Sequence, residues 1–161
     1  YLLDVLKEME DENLNSIGFI FCGGDKGNLN YIKNKIKDYK LENHIKVIGH
    51  ISDEELISIY KYCDAITIPT YLGRSSLPLL EGIYFNKKIF YSKGILDNSL
   101  IPYVEEFDLN NPKNLADKLI RFNNEKINHE YENLCSNNFF INTYESIIND
   151  FKFLQNKWIE K

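Results

Sequence analysis

The feature that most constrains the fold is an alternation between short β-branched or aromatic runs and segments with apolar residues at helical spacing. The runs "SIGFIFCGG", "HIKVIG", "DAITIP" and "KKIFYS" have the composition of strands. Between them, "NLNYIKNKIKDYKLEN", "SDEELISIYKYC" and "PLLEGIYF" predict helices. Strands separated by helices favour parallel pairing with right-handed crossovers. The sequence therefore predicts an α/β fold with a Rossmann-like doubly wound parallel sheet.

Residues at the helix ends agree with this order of elements. Ser52 and Glu55 have the spacing of a capping box, and Pro78 falls in the first turn of a short helix. Asn111 is expected to cap a further helix that has Pro112 at its first position. Each of these residues therefore fixes a helix start in the predicted alternation.

The chain opens on a helical pattern, "YLLDVLKEME", although a doubly wound sheet normally begins with a strand. We therefore expect the first strand to lie upstream of Tyr1, in a longer protein. At 161 residues the chain suits a single domain, 1–161, that lacks this strand. Its last segment, 143–161, predicts an amphipathic C-terminal helix, and packing against the domain is favoured over contact with a missing domain or a membrane surface.

Composition excludes several classes of protein. The chain is 43% hydrophobic and 14% aromatic, which is enough for a core, and its net charge of −5 disfavours nucleic-acid binding. It has no apolar run of membrane-spanning length, and acids stand where a signal peptide would be basic. We therefore expect a cytoplasmic protein.

The cysteines and histidines show no metal-site spacing. Cys22, Cys63 and Cys135 are far apart in the sequence, and we expect them to be reduced and mostly buried. His44 and His129 are isolated. No metal and no cofactor is therefore expected.

Two loops are expected at the carboxyl edge of the sheet, where open parallel sheets bind ligands. The first is "CGGDKGN", in which Gly23 and Gly24 would let a ligand approach the backbone closely. An ordinary tight turn between strand and helix is an equally weighted interpretation.

The second loop is "PTYLGRSSLPLLEG", residues 69–82. Ser75, Ser76 and Leu77 lead into the helix near Pro78, so their N–H groups would converge on a point suited to a phosphate. Arg74 would add a positive charge with bidentate geometry, although a solvated surface arginine is an equal alternative.

Glu81 lies about one turn into that helix, among apolar neighbours. A carboxylate in such a place needs hydrogen-bond donors, and the two hydroxyls of a ribose are one such pair. The alternative is a glutamate on the exposed edge of the helix, to which periodicity alone gives about half the weight.

The run "VIGHISDEELISIYKYCDAITIPTYLGRSSLPLLEG" resembles the C-terminal, nucleotide-sugar-binding half of group 1 (family four) glycosyltransferases, which have the two-domain GT-B architecture. The resemblance implies that Glu81 binds the donor ribose and that the backbone at Ser75, Ser76 and Leu77 meets the diphosphate. It also implies that Ile48 and Gly49 contact the base through their backbones.

The chain departs from the family pattern at Gly73 and before its first residue. Gly73 stands eight residues before Glu81, where the family has a glutamate that contacts the transferred sugar. The family's phosphate-binding arginine and lysine would precede Tyr1. The donor site in this chain is therefore expected to be incomplete.

Together these features predict the donor-binding half of a retaining glycosyltransferase acting on a glycan or lipid-linked acceptor in polysaccharide biosynthesis. The acceptor would bind through a missing N-terminal domain, with the full-length protein peripheral to the inner face of the membrane. Gly73 keeps open a second interpretation, a catalytically silent scaffold module. A receiver-like binding domain is disfavoured, because the first strand end carries only Asp25 as an acid.

Overall fold

The computed structural model of the protein describes residues 1–72 and 77–128. In this part of the chain the helices are α1 (Leu2–Lys7), α2 (Asp11–Leu14), α3 (Leu29–Asp38), α4 (Asp53–Tyr62), α5 (Leu77–Tyr84) and α6 (Pro112–Asn128). The strands are β1 (Phe19–Cys22), β2 (Ile45–Gly49), β3 (Ala65–Ile68), β4 (Lys88–Ser92) and β5 (Glu105–Phe107), and a short 3-10 helix, Ile101–Tyr103, precedes β5. The predicted C-terminal helix, 143–161, lies outside the described residues.

The strands are parallel, but they form two sheets instead of the single sheet expected. Strand β1 pairs with β2, with Phe19 opposite Ile45, and β4 pairs with β3 on one side and β5 on the other. The strand order 3-2-1-4-5-6 of a Rossmann sheet places the first strand between the second and the fourth. If β1 and β3 are the second and fourth strands of that order, the first strand would lie between them. The gap between the two observed sheets falls at this position. A first strand upstream of Tyr1 stays a prediction.

Strand β4 lies between two clusters of buried apolar side chains. Phe90 belongs to a cluster that includes Leu6 of α1 and Leu115 of α6. Ile89 and Tyr91, which alternate with Phe90 along the strand, belong to a second cluster with Leu79 and Ile83 of α5. Helices therefore cover both faces of β4, which confirms the predicted doubly wound α/β class.

The predicted helix starts are confirmed. The Glu55 amide donates to Ser52 Oγ at 3.3 Å and the Ser52 amide donates to Glu55 Oε2 at 2.8 Å, which completes the capping box of α4. Helix α6 begins at Pro112, and Asn111 Oδ1 accepts a hydrogen bond from the Asn114 amide at 3.3 Å. Local side-chain chemistry thus sets both starts.

Strand β5 has no counterpart among the sequence predictions, because two of its three residues are glutamates. Glu105 is 16% exposed and forms ion pairs with Lys88 at 2.8 Å, with Lys118 at 3.0 Å and with Arg121. Burial raises the pKa of this carboxyl, but hydrogen bonds from Lys88 and Lys118 outweigh burial and hold the pKa below its usual range. Cations from β4 and α6 therefore allow an acidic segment to pair as a strand.

The expectation that the cysteines are mostly buried is wrong for Cys22, which is exposed. Alternate residues of a strand face opposite sides, so Phe19 and Phe21 pack against the core while Ile20 and Cys22 share the outer side. Cys63 is half-buried, both are free thiols, and Cys135 lies outside the described residues.

Candidate functional site

The loop after β1 is shaped by its own backbone and by Asp25. Asp25 Oδ1 accepts hydrogen bonds from the amides of Gly27 at 2.7 Å and Leu29 at 3.2 Å, which joins the loop to the start of α3. Gly23 and Gly27 have φ angles of +136° and +97°, a region that favours glycine. The loop is thus a tight turn, as one interpretation of the sequence predicted, and its hydrogen bonds to Asp25 hold its backbone in place.

A cleft of about 540 Å³ opens beside this loop. Gly23, Gly24 and Gly49 line it, and the Gly23 amide donates a hydrogen bond to the Gly49 carbonyl at 2.7 Å. The other lining residues are the apolar side chains of Phe21, Leu29, Ile32 and Val47, together with Cys22, Asp25, Lys26, Asn28 and Lys33. The structure therefore brings together three of the glycines singled out in the sequence.

Ile48 is adjacent to this cleft in the chain but is not part of its lining. Its side chain is 39% exposed, on the side of β2 opposite Ile45 and Val47. Gly49 follows with a φ angle of +68°, and a Cβ atom built there would meet nothing within 4 Å. A ligand can thus approach the backbone at Gly49 closely, whereas Ile48 contributes no side chain to the cleft.

The second predicted site element is the start of α5. Leu77 is the first residue of this helix and is 47% exposed, and Pro78 follows it. The first N–H groups of any helix lack partners within the helix. Gly73, Arg74, Ser75 and Ser76, which precede the helix, lie outside the described residues.

The segment that leads from β3 towards α5 is anchored by Ser92, a residue that sequence reasoning missed. This serine is fully buried at the end of β4. Its hydroxyl oxygen accepts from the Thr70 amide at 2.8 Å and lies 2.6 Å from the Thr70 carbonyl and 3.2 Å from that of Ile68. Thr70 in turn bonds Leu72 through its own hydroxyl. The chain is therefore fixed just before the loop that precedes α5.

Glu81 is half-buried on α5 and has a specific partner. The hydroxyl of Tyr60, on α4, donates a hydrogen bond to Glu81 Oε2 at 2.6 Å. Burial, followed by this hydrogen bond and the charge of Glu81, raises the pKa of Tyr60 far above its ordinary value, so that its hydroxyl stays protonated. Glu81 is thus an oriented carboxylate and not a residue on a fully exposed helix edge.

Close packing sets the height of α5 above its sheet. A Cβ atom at Gly82 would lie 2.6 Å from Ile66 Cδ1 and 3.0 Å from Ile89 Cδ1. A side chain here would require the Cδ1 methyl groups of Ile66 and Ile89 to move, whereas glycine lets the helix come this near to β3 and β4 without such a shift. Glycine at this position therefore helps to place the neighbouring Glu81.

Glu81 and Leu77 do not line the glycine-rich cleft. The structure therefore forms two groups from the predicted residues, one around Gly23, Gly24 and Gly49 and one around Glu81.

Residues 1–72 and 77–128 contain no group of three or more His, Cys, Asp or Glu side chains placed to hold a metal ion. Nor does any helix there have the length and apolarity needed to cross a membrane. His50, which sequence analysis did not assign to the site, is exposed.

Comparison with known proteins identifies the family. The family described as glycosyl transferases group 1 matches residues 1–138. Among solved structures, HepE from Anabaena in complex with UDP is similar to this chain, with a TM-score of 0.58 and 18% identity. The similarity covers 78% of this chain and 38% of that one, and at this identity it shows the fold alone. No curated protein matches the sequence. Since the family match spans most of its length, the chain belongs to the group 1 glycosyltransferases.

Proposed function

We propose that this chain is the C-terminal, donor-binding domain of a GT-B glycosyltransferase that moves a hexose from a nucleoside diphosphate to an acceptor with retained configuration. The observation that carries the proposal is the placement of Glu81. It lies one turn into α5, half-buried, with its carboxylate held by Tyr60. A carboxylate fixed behind a helix start, in a chain of this family, suits the two hydroxyls of a donor ribose.

The remaining contacts of the donor follow from this placement. The diphosphate would meet the N–H groups at Ser75, Ser76 and Leu77, with Arg74 as a nearby cation. The base would lie in the cleft against the backbone of Gly49, near Gly23 and Gly24, and would reach the backbone of Ile48 at the edge of the cleft. N–H groups and cations placed at the leaving diphosphate would lower the barrier to transfer, as preorganised charge does in other enzymes.

The acceptor would be bound by a longer protein that contains this chain. We propose a glycan or lipid-linked glycan, bound through an N-terminal domain, in polysaccharide biosynthesis at the cytoplasmic side of a membrane. The 161-residue chain alone would then bind a nucleoside diphosphate weakly and catalyse little. HepE was solved with UDP, which makes uridine diphosphate the first nucleotide to test.

A catalytically silent member of the family is the second candidate, and Gly73 favours it. Glycine has no side chain to contact the hydroxyls of the transferred sugar, which a glutamate contacts in the family pattern. A protein of this kind would bind the nucleotide and act as a scaffold in glycan assembly. The two candidates therefore differ in turnover but not in nucleotide binding.

Titration calorimetry of the full-length protein with UDP, GDP and ADP tests the shared part of both candidates. We expect one nucleotide to bind, and Glu81→Ala to weaken that binding by about tenfold or more, because hydrogen bonds to a charged group are lost. Glu125→Ala is the matched control, since Glu125 is an exposed glutamate on α6. If none of the three nucleotides binds, or if Glu81→Ala binds as the wild type does, the proposal is wrong.

Turnover then separates the two candidates. Full-length protein is incubated with the sugar form of the nucleotide that binds and with glycan or lipid-linked acceptors, and release of the nucleoside diphosphate is measured. Release that depends on acceptor and on Glu81 supports the transferase. Tight binding without release supports the silent module.

A further inference from the structure

The contact between Tyr60 and Glu81 joins two helices that are separated in sequence by β3 and the loop after it. The Tyr60 hydroxyl and Glu81 Oε2 are 2.6 Å apart, the short distance of a hydrogen bond to an ionised acceptor. Tyr60 is only 7% exposed, so water competes little for its proton. The contact is therefore a short, charge-assisted polar link between α4 and α5.

The ring that carries the hydroxyl is itself held in place. Tyr60 stacks on Phe85 with centroids 5.3 Å apart and an interplanar angle of 2°. Phe85 meets Tyr84 edge-on, with centroids 5.1 Å apart and an angle of 87°. Such aromatic pairs restrict ring orientation in addition to burying area. The donor atom is thus fixed by packing on Phe85, the residue that directly follows α5, and α5 carries the acceptor.

The hydroxyl also stays a donor across the working pH range. Burial and the contact with Glu81 raise the pKa of Tyr60, so that the phenol does not ionise near neutral pH. A carboxylate with one oxygen bound to a fixed donor has its plane set, which directs its second oxygen. Binding groups need placement within about 0.5 Å, and supporting hydrogen bonds supply this placement.

We propose that Tyr60 is the positioning residue for Glu81, and that by holding Oε2 it directs the carboxylate towards the ribose hydroxyls of a nucleoside diphosphate. This inference rests on the proposed function, since it names what sets the ribose specificity of the same site. Tyr60 itself does not touch the nucleotide. Its effect is on the preference for a ribose over a deoxyribose.

The test measures that preference in the full-length protein. Dissociation constants are determined for UDP and 2′-deoxy-UDP, with the GDP and ADP pairs run in parallel. The wild type is expected to prefer the ribose form by about tenfold or more. Tyr60→Phe keeps the ring and its stacking on Phe85, and it is expected to reduce this preference by about three- to tenfold through weaker binding of the ribose form alone.

Two further variants sharpen the result. Tyr39→Phe is the matched control, because the Tyr39 hydroxyl also donates to a carboxylate, Asp4 Oδ1 at 3.2 Å, far from the site in sequence. It should leave the preference unchanged. Phe85→Leu removes the stacking partner but leaves the Tyr60 hydroxyl, and an intermediate loss of preference is expected, so the inference does not depend on one variant.

The outcomes separate this inference from the proposed function. A wild type that binds no nucleotide overturns both. If the wild type binds and prefers the ribose form, and Tyr60→Phe and Phe85→Leu show the same preference as the wild type, the role of Tyr60 is overturned. The proposed function is then left standing. If Tyr60→Phe weakens both nucleotides equally, or only lowers the melting temperature, Tyr60 is a structural residue and the inference is also wrong.

Discussion

The hydroxyl of Ser92 accepts a hydrogen bond from the Thr70 amide at 2.8 Å, and this contact ties the end of β4 to the segment that leads towards α5. Ser92→Ala would leave that amide without the partner that this fold provides. We expect the free energy of unfolding to fall by about 1–3 kcal/mol, the cost of an unsatisfied buried polar group. Urea denaturation followed by circular dichroism measures it.

The control for this serine is Ser58→Ala. The Ser58 hydroxyl donates to the Glu54 carbonyl on the exposed side of α4, so its loss should change the free energy of unfolding by no more than about 0.5 kcal/mol. Equal losses in the two variants would contradict a special role for Ser92.

Gly82→Ala should destabilise the protein although alanine favours helices. The intrinsic gain of about 1 kcal/mol is opposed by overpacking against Ile66 and Ile89, which costs about 1–3 kcal/mol in well-packed cores. We expect a net loss of about 1 kcal/mol, measured as the change in free energy of unfolding.

A double-mutant cycle tests the cause of that loss. Ile66→Val removes the Cδ1 atom that a Cβ at residue 82 would approach to 2.6 Å. The double variant should therefore be more stable than the sum of the single changes predicts, by about 1 kcal/mol. Simple additivity would mean that Ile66 does not set the distance of α5 from the sheet.

Glu105→Gln should lower stability in a pH-dependent way. Its ion pairs with Lys88, Lys118 and Arg121 are partly buried. We therefore expect the free energy of unfolding to fall by about 1–3 kcal/mol at pH 7, a value between those typical of exposed and of buried ion pairs. The folded pKa of Glu105 lies below its unfolded value, so the contribution of the carboxylate is complete above the unfolded pKa of about 4.3 and is lost as pH falls through the folded pKa.

The measurement is the free energy of unfolding of both proteins from pH 7 to pH 3. The difference should be constant down to about pH 5 and then shrink. Glu125→Gln is the control, since Glu125 is exposed and pairs with Arg121 only at 3.8 Å. A difference that grows as the solution is acidified would contradict the assigned direction of the pKa shift.

Gly49→Ala should cost about 1 kcal/mol through backbone strain alone, because the φ angle is +68° and no atom lies within 4 Å of the added Cβ. Gly49→Asn should recover part of that loss, since asparagine tolerates this conformation better. Thermal unfolding compares the two variants. A Cβ atom added at Gly24 would also meet no atom within 4 Å, but the φ angle of Gly24 is not in the left-handed range. Gly24→Ala should therefore cause almost no loss of stability.

The helices and most strands could be predicted because their signals are local. Apolar spacing identified α3 and α4, and the pair Ser52 and Glu55 identified the start of α4. Strand β5 could not be found in this way, because Glu105 becomes compatible with a strand only through cations on β4 and α6.

The candidate site was accessible to sequence reasoning only in part. Glycines that follow predicted strands, and a glutamate that follows a proline, can be recognised in the sequence. The structure places Gly23, Gly24 and Gly49 around one cleft. The partners of these residues are not visible. Tyr60 lies 21 positions from Glu81 and Ser92 lies 22 from Thr70, and contacts over such separations depend on how helices and strands pack.

The position of β4 between two apolar clusters has a consequence for the order in which the molecule opens. Its amides should exchange with deuterium only when both sides of the core separate, which makes this strand a candidate for the slowest-exchanging unit of the described chain. Ser92 stands at the end of that strand and holds Thr70. The segment before α5 is thus attached to the strand that we expect to exchange most slowly among the described residues.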